Sequence, residues 1–160
     1  MDCLNYSKLI RKAPHVFIIG NGGSYANAIH IANDLLSCGV SAHTIDAATL
    51  TAAANDYGYE QAFSRWIRIV GKHDDLLIAL SGSGKSRNIL RAIRDAKVHF
   101  MTVLAITGAY ESNPAIERQA HYCIRRGKDM QAAEDYQLVW GHQIMRELRY
   151  ERPARPKRTS

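Results

Sequence analysis

The feature that most constrains this chain is a pattern that recurs along it. A short apolar run ends in a turn of small polar residues, and an amphipathic stretch follows. His15–Ile19 (HVFII) leads into Gly20-Asn21-Gly22-Gly23-Ser24, and Asp75–Leu80 (DLLIAL) into Ser81-Gly82-Ser83-Gly84-Lys85-Ser86. Residues 101–106 (MTVLAI) end in Thr107-Gly108. Apolar runs of this length, closed by Gly/Ser turns and followed by helical periodicity, are the mark of βα units in a parallel sheet. The reading along the chain is a helix over Tyr25–Ser37, capped by Ser24, with Ile29, Ala32 and Leu36 on one face. A weak strand is predicted near Ala42–Ile45. Helices are predicted over 47–55 and 59–70, with Asn55-Asp56-Tyr57-Gly58 as a polar turn between them. A helix over Ser86–Lys97, another over Asn113–Gln119, a strand at 121–124 and a long last helix from about Met130 to Arg149 complete the set. Strands alternating with helices on short loops give a doubly wound α/β fold of about five parallel strands.

Length and charge set the frame. The 160 residues suit one domain over 1–149, and 46% hydrophobic residues support a packed core. The formal net charge is +6. Residues 149–160 hold five Lys+Arg and one Glu, a net +4, which leaves +2 for residues 1–148. The basic excess therefore belongs to a Pro/Arg tail, 150–160, expected to be disordered, and nucleic-acid binding is not indicated for the body. No apolar run approaches the ~18–20 residues of a membrane span. The N-terminus lacks the apolar core of a secretory signal. Three scattered cysteines, Cys3, Cys38 and Cys123, form neither a disulfide framework nor a zinc knuckle, which points to a reducing cytoplasm.

Ligands of open parallel sheets bind at the carboxyl ends of the strands. The two polar loops fall there, each leading into a helix N-terminus whose free N–H groups and dipole favour an anion. Gly22, Gly23 and Gly82 let the backbone approach, and Ser24, Ser81, Ser83 and Ser86 add hydroxyl donors. Two such loops point to a phosphorylated ligand, although each alone is also an ordinary βα turn. Gly84-Lys85-Ser86 matches the end of a nucleotide-binding P-loop, but Ala79 stands where the first glycine is required. The loop is too short for a triphosphate, so no nucleotide is expected.

His30 and Asp34 lie four apart and share a helix face. They suit two metal ligands, an acid–base pair or a plain surface pair. The last helix carries Glu134 and His142, eight residues and ~12 Å apart along its axis. His142 also reads as a core histidine. Spacing alone gives Asn55 and Asp56 turn chemistry.

Together, HVFIIGNGGSYANAIHIANDL, AANDYGYEQAFSRWI, DLLIALSGSGKSRNILRAI and DMQAAEDYQLVWGHQI resemble the sugar isomerase (SIS) domain, and within it the phosphoheptose isomerase branch. The likeness runs through residues 15–149. It implies a flavodoxin-like three-layer αβα sandwich, a homotetramer with sites between subunits, and interconversion of sedoheptulose 7-phosphate with a D-manno-heptose 7-phosphate on the way to bacterial surface glycans. By position it implies that Ser24, Ser81, Ser83 and Ser86 grip phosphate, and that Asn21, Asn55 and Asp56 line the sugar. It puts His30, Asp34, Glu134 and His142 in a metal-ligand and catalytic cluster, holding zinc in some members, with Asp34 and His142 as the acid/base pair. Asp34 stands where the family has Glu, and Glu134 where it usually has Gln. The N-terminal helix is short, and the segment after Asp34 lacks the family's Arg-containing stretch. The alternative is a non-catalytic SIS module that binds a sugar phosphate for sensing or scaffolding.

Overall fold

The apolar runs form a five-stranded, all-parallel sheet. In the computed structural model, which describes residues 3–110, 112 and 114–150, the strands are β1 (Val16–Ile19), β2 (Ala42–His43), β3 (Leu76–Ser81), β4 (Thr102–Thr107) and β5 (Tyr122–Arg125). Their order is β2-β1-β3-β4-β5, and every neighbouring pair is parallel. Every residue of β1 and β3 is buried, as a sheet covered on both faces requires.

Alternation along the strands builds two cores. Val16, Ile18, Leu76, Ile78, Leu80, Leu104 and Ile106 face helices α1 (Cys3–Lys12), α2 (Gly23–Ser37) and α7 (Met130–Tyr150). Phe17, Ile19, Leu77, Ala79, Val103 and Ala105 face α4 (Ala62–Val70), α5 (Arg87–Val98) and α6 (Ala115–Gln119). The predicted αβα sandwich is thus observed.

Three local expectations change. Ser24 does not cap α2. Gly22, at φ 54°, takes the N-cap position because the chain turns through the left-handed region there, and Ser24 is buried in the first turn. The inward face of α2 is Ala28, Ile31, Ala32 and Leu35, while Ile29 and Leu36 are exposed. Gly141 selects this face: a side chain there would strike Ile31, so the bare backbone lets α7 close onto α2. The helix read as 47–55 is α3 (Ala47–Tyr57), whose N-cap Asp46 accepts from Thr49 N–H at 2.9 Å. It ends at Gly58, φ 86°, so Asn55 and Asp56 belong to its last turn rather than to a loop. A single 3-10 turn, Tyr59–Gln61, separates α3 from α4.

α6 starts after Pro114, and Asn113 lies outside the described residues. Tyr150 closes α7, and residues 151–160 of the expected basic tail also lie outside them.

Candidate active site

The order β2-β1-β3-β4-β5 reverses direction between β1 and β3, and ligands collect outside the carboxyl ends of strands at such a switch point. The two Gly/Ser loops leave β1 and β3 there. They border a cleft of about 250 Å³ lined by Asn21, Gly22, Ser24, Ser81, Gly82, Ser83, Ser86, Met130 and Glu134. Neither helix entering the cleft has a side-chain cap on its first turn: Gly22 precedes α2 and Ser86 precedes α5. Asp46 supplies such a cap to α3. Uncapped first turns aimed into a polar cleft suit a bound anion.

The serine loop is held from within. Ser81 Oγ accepts from Gly84 N–H at 3.2 Å and approaches Ser86 Oγ at 3.5 Å. Ser83 Oγ accepts from Lys85 N–H at 3.3 Å. Gly84, at φ 63°, makes the turn, and a side chain there would strike Pro114 and Ile116. Gly82 lies against the Met130 thioether, and Gly23 against the Glu134 carboxylate.

Asn21 is committed to structure. It exchanges amide hydrogen bonds with Asn88 at 3.0 and 2.8 Å, and its oxygen also accepts from Tyr59 Oη–H at 2.7 Å. Asn88 and Tyr59 were invisible to spacing arguments, since each looks like an ordinary helix or turn residue. Asn27 is a third such residue. It donates to the carbonyl of Glu134 at 2.9 Å and to Gln137 Oε1 at 3.2 Å, fixing α7 to α2 beside the cleft.

A second cluster lies farther along the same two helices. His30 Nε2 and His142 Nε2 are 3.0 Å apart, and Asp34 Oδ2 is 3.4 Å from the first and 3.7 Å from the second. Asp34 Oδ2 is buried and accepts no hydrogen bond. Three donor atoms tetrahedrally placed on a small divalent ion at about 2.0–2.1 Å would be about 3.3 Å apart. The observed triangle brackets that spacing, and its imidazole and carboxylate donors suit a first-row divalent ion. His30, Asp34 and His142 can therefore hold a metal.

Glu134 does not join this group. It precedes His142 by two turns of α7, and its carboxylate turns toward Gly23 and the serine cleft. The structure brings Asn21, Gly22, Ser24, Ser81, Gly82, Ser83, Ser86 and Glu134 together in the cleft and Gly23 to its edge. It leaves Asn55 and Asp56 outside, exposed on the end of α3 and hydrogen-bonded to each other at 3.0 Å.

The SIS domain profile matches residues 5–108. Over 107 residues the chain is 45% identical to the phosphoheptose isomerase of Burkholderia pseudomallei strain K96243, covering 62% of this chain and 54% of that protein. Identity to the phosphoheptose isomerase of Thiobacillus denitrificans is 41% over 101 residues, 58% of this chain and 51% of the relative. These matches span about half the length of the curated relatives. The phosphoheptose isomerase structure from Francisella tularensis superposes with a TM-score of 0.85 at 26% identity, covering 93% of this chain and 85% of that one. Phosphoheptose isomerase GmhA from Neisseria gonorrhoeae shares the fold at a TM-score of 0.85, with 24% identity and coverage of 92% and 85%. The matched residues carry β1, β3 and both glycine–serine loops, and so the chain belongs to the SIS domain family.

Proposed function

We propose that this protein is an aldose–ketose isomerase that converts sedoheptulose 7-phosphate to D-glycero-D-manno-heptose 7-phosphate. One observation carries the reading: a serine-lined anion cleft and the His30–Asp34–His142 group share helices α2 and α7. Ser24 and His30 are six residues apart on α2, about 9 Å along its axis. That separation suits an open-chain substrate whose phosphate lies several carbons from its carbonyl. The names of the curated relatives and of the structural neighbours support the same substrate class.

In this mechanism Ser24, Ser81, Ser83, Ser86 and the first-turn N–H groups of α2 and α5 anchor the phosphate and fix the sugar's orientation. Asp34 takes the proton from the carbon next to the carbonyl, and His142 serves the carbonyl oxygen, giving an enediol. Asp34 then delivers its proton to the former carbonyl carbon, while His142, having given its proton to the first oxygen, takes the one from the second enediol hydroxyl, which completes the isomerisation. The Oδ2 of Asp34 is buried and accepts no hydrogen bond, which supports its role as the base. Alternatively, zinc held by His30, Asp34 and His142 would polarise the carbonyl and its neighbouring hydroxyl in place of direct proton transfer by these side chains, since an imidazole nitrogen or carboxylate oxygen that ligates the ion does not also carry the proton. Glu134, in the cleft, is positioned to accept from sugar hydroxyls.

Assembly into a homotetramer is part of the proposal. No residue of α3 is buried within the chain. Ile29 and Leu36 on α2 and Val139 on α7 are 47%, 53% and 59% exposed. Apolar surface of this kind marks a contact face. Among the described residues Cys38 and Cys123 are free thiols, which fits a cytoplasmic setting, and no described helix is long and apolar enough to cross a membrane.

The test is incubation with sedoheptulose 7-phosphate and detection of the aldose product. Formation of the D-manno-heptose 7-phosphate is expected. Binding without turnover would reject the enzyme and leave a sugar-phosphate-binding module.

A further inference from the structure

At the opposite end of the sheet from the serine cleft lies a second, differently built cavity. It measures about 360 Å³ and is lined by His15, Phe17, His43, Thr44, Trp66, Val70 and Lys72. That is within the usual size of small-molecule pockets, and its make-up, an aromatic wall with a few polar groups, is also the usual one.

The wall is fixed by ring packing. Phe17 and Trp66 meet edge to face at 5.4 Å and 87°, and His43 stacks on Phe17 at 5.6 Å and 30°. The polar side is fixed by hydrogen bonds. Ser41 Oγ is 2.9 Å from His15 Nδ1 and 2.9 Å from His43 Nε2, which ties the two imidazoles to one hydroxyl. Asp75, fully buried, accepts from the backbone N–H of His15 at 3.1 Å and of Lys72 at 2.8 Å. One carboxylate thus sets the spacing of the two residues that flank the cavity. The lining carries no carboxylate; its ionisable side chains are Lys72, His15 and His43, all cationic or neutral.

We propose that this cavity is a second ligand site that takes a small planar aromatic ring bearing one anionic group. The ring would pack against the Trp66–Phe17–His43 wall, where aromatic faces and edges attract one another. The anion would pair with the Lys72 ammonium. Nothing in the isomerase mechanism uses these residues, so the site stands apart from the serine cleft.

Trp66 supplies the readout. The chain has two tryptophans, and Trp140 is 1% exposed in the other core, so a quencher entering the cavity reports through Trp66. The full chain would be titrated separately with phenyl phosphate and with benzoate, which share a phenyl ring and differ in phosphate against carboxylate. Saturable quenching by at least one of them is expected, and the two arms say which anion is preferred. Lys72→Met should weaken it about tenfold, the scale of one charge-assisted hydrogen bond. His43→Ala, at an exposed edge position, should weaken it as well. The Ser81→Ala/Ser86→Ala double variant should bind as the parent does. No saturation with either probe, unchanged affinity in Lys72→Met, equal quenching by inorganic phosphate, or loss confined to the serine variant would each overturn the proposal.

Discussion

His30 on α2 and His142 on α7 meet Nε2 to Nε2 at 3.0 Å, although 112 residues separate them in the chain. Only one of the two can donate in that contact, and the nearby Asp34 Oδ2 is buried with no donor of its own. A divalent cation satisfies all three atoms at once. We therefore expect zinc to stabilise the folded chain. At a free concentration a hundredfold above Kd the gain is about 2.7 kcal/mol, or roughly 5–10 °C in Tm for a chain of this size. Thermal unfolding of chelator-treated protein with and without zinc measures it. The shift should vanish in His142→Ala, and an unchanged Tm in the parent would remove the metal from the site.

His142 also faces the proposed reaction. His142→Ala is expected to lower kcat by at least ~10²-fold, the scale of a lost acid or base. The measurement is steady-state formation of the aldose phosphate, with folding checked by circular dichroism. Turnover equal to the parent's would show that His142 has no part in proton transfer. Phosphate affinity should hardly move, because His142 is absent from the cleft lining.

Glu134 places a negative charge where the cleft is otherwise built for an anion. Its carboxylate lies against Gly23, the first residue of α2. Two like charges near a protein surface repel by roughly 1–3 kcal/mol at close range, less once salt screens them. Glu134→Gln is therefore expected to tighten inorganic phosphate binding, by about fivefold at the lower end of that range and about 150-fold at its upper end before salt screening. Calorimetric titration at low and moderate salt tests this, and the gain should shrink as salt rises. Weaker phosphate binding in Glu134→Gln would show that the carboxylate organises the cleft rather than opposing its ligand.

Much of this architecture is written locally. The apolar runs at β1, β3 and β4 are pure enough to fix a buried parallel sheet, and the glycine–serine turns after β1 and β3 disclose where a ligand sits. The register of α2 was not legible. Ile29 and Leu36 are as apolar as Ile31 and Leu35, and the choice between the two stripes was made by Gly141, over a hundred residues away. The split of the site has the same origin. Sequence spacing places Glu134 and His142 on one helix, but only the packing of α7 on α2 sends one carboxylate to the serine cleft and leaves the histidine with His30. Only the family resemblance, and no local pattern, offers Asn21 as a sugar contact. Its partners Asn88 and Tyr59 come from distant elements, and no local pattern announces them.

One further expectation concerns stability against pH. His121 opens the path into β5, and its Nδ1 accepts the Val103 N–H of β4 at 2.9 Å while its own N–H returns to Val103 O at 3.1 Å. That acceptor role requires an unprotonated Nδ1. Partial burial, and then the Lys97 ammonium, hold the His121 pKa below its usual 6.5. The unfolded chain therefore takes up a proton more readily than the folded one. The stabilising share of His121 is complete above pH 6.5 and is lost as pH falls below that value toward the folded pKa. Urea midpoints should accordingly drop between pH 7.5 and pH 5. In His121→Asn the part of that slope due to this group should disappear, because the amide oxygen accepts a hydrogen bond but does not titrate in this range. A pH slope identical in parent and variant would show that His121 has the same proton affinity in the folded and unfolded chains.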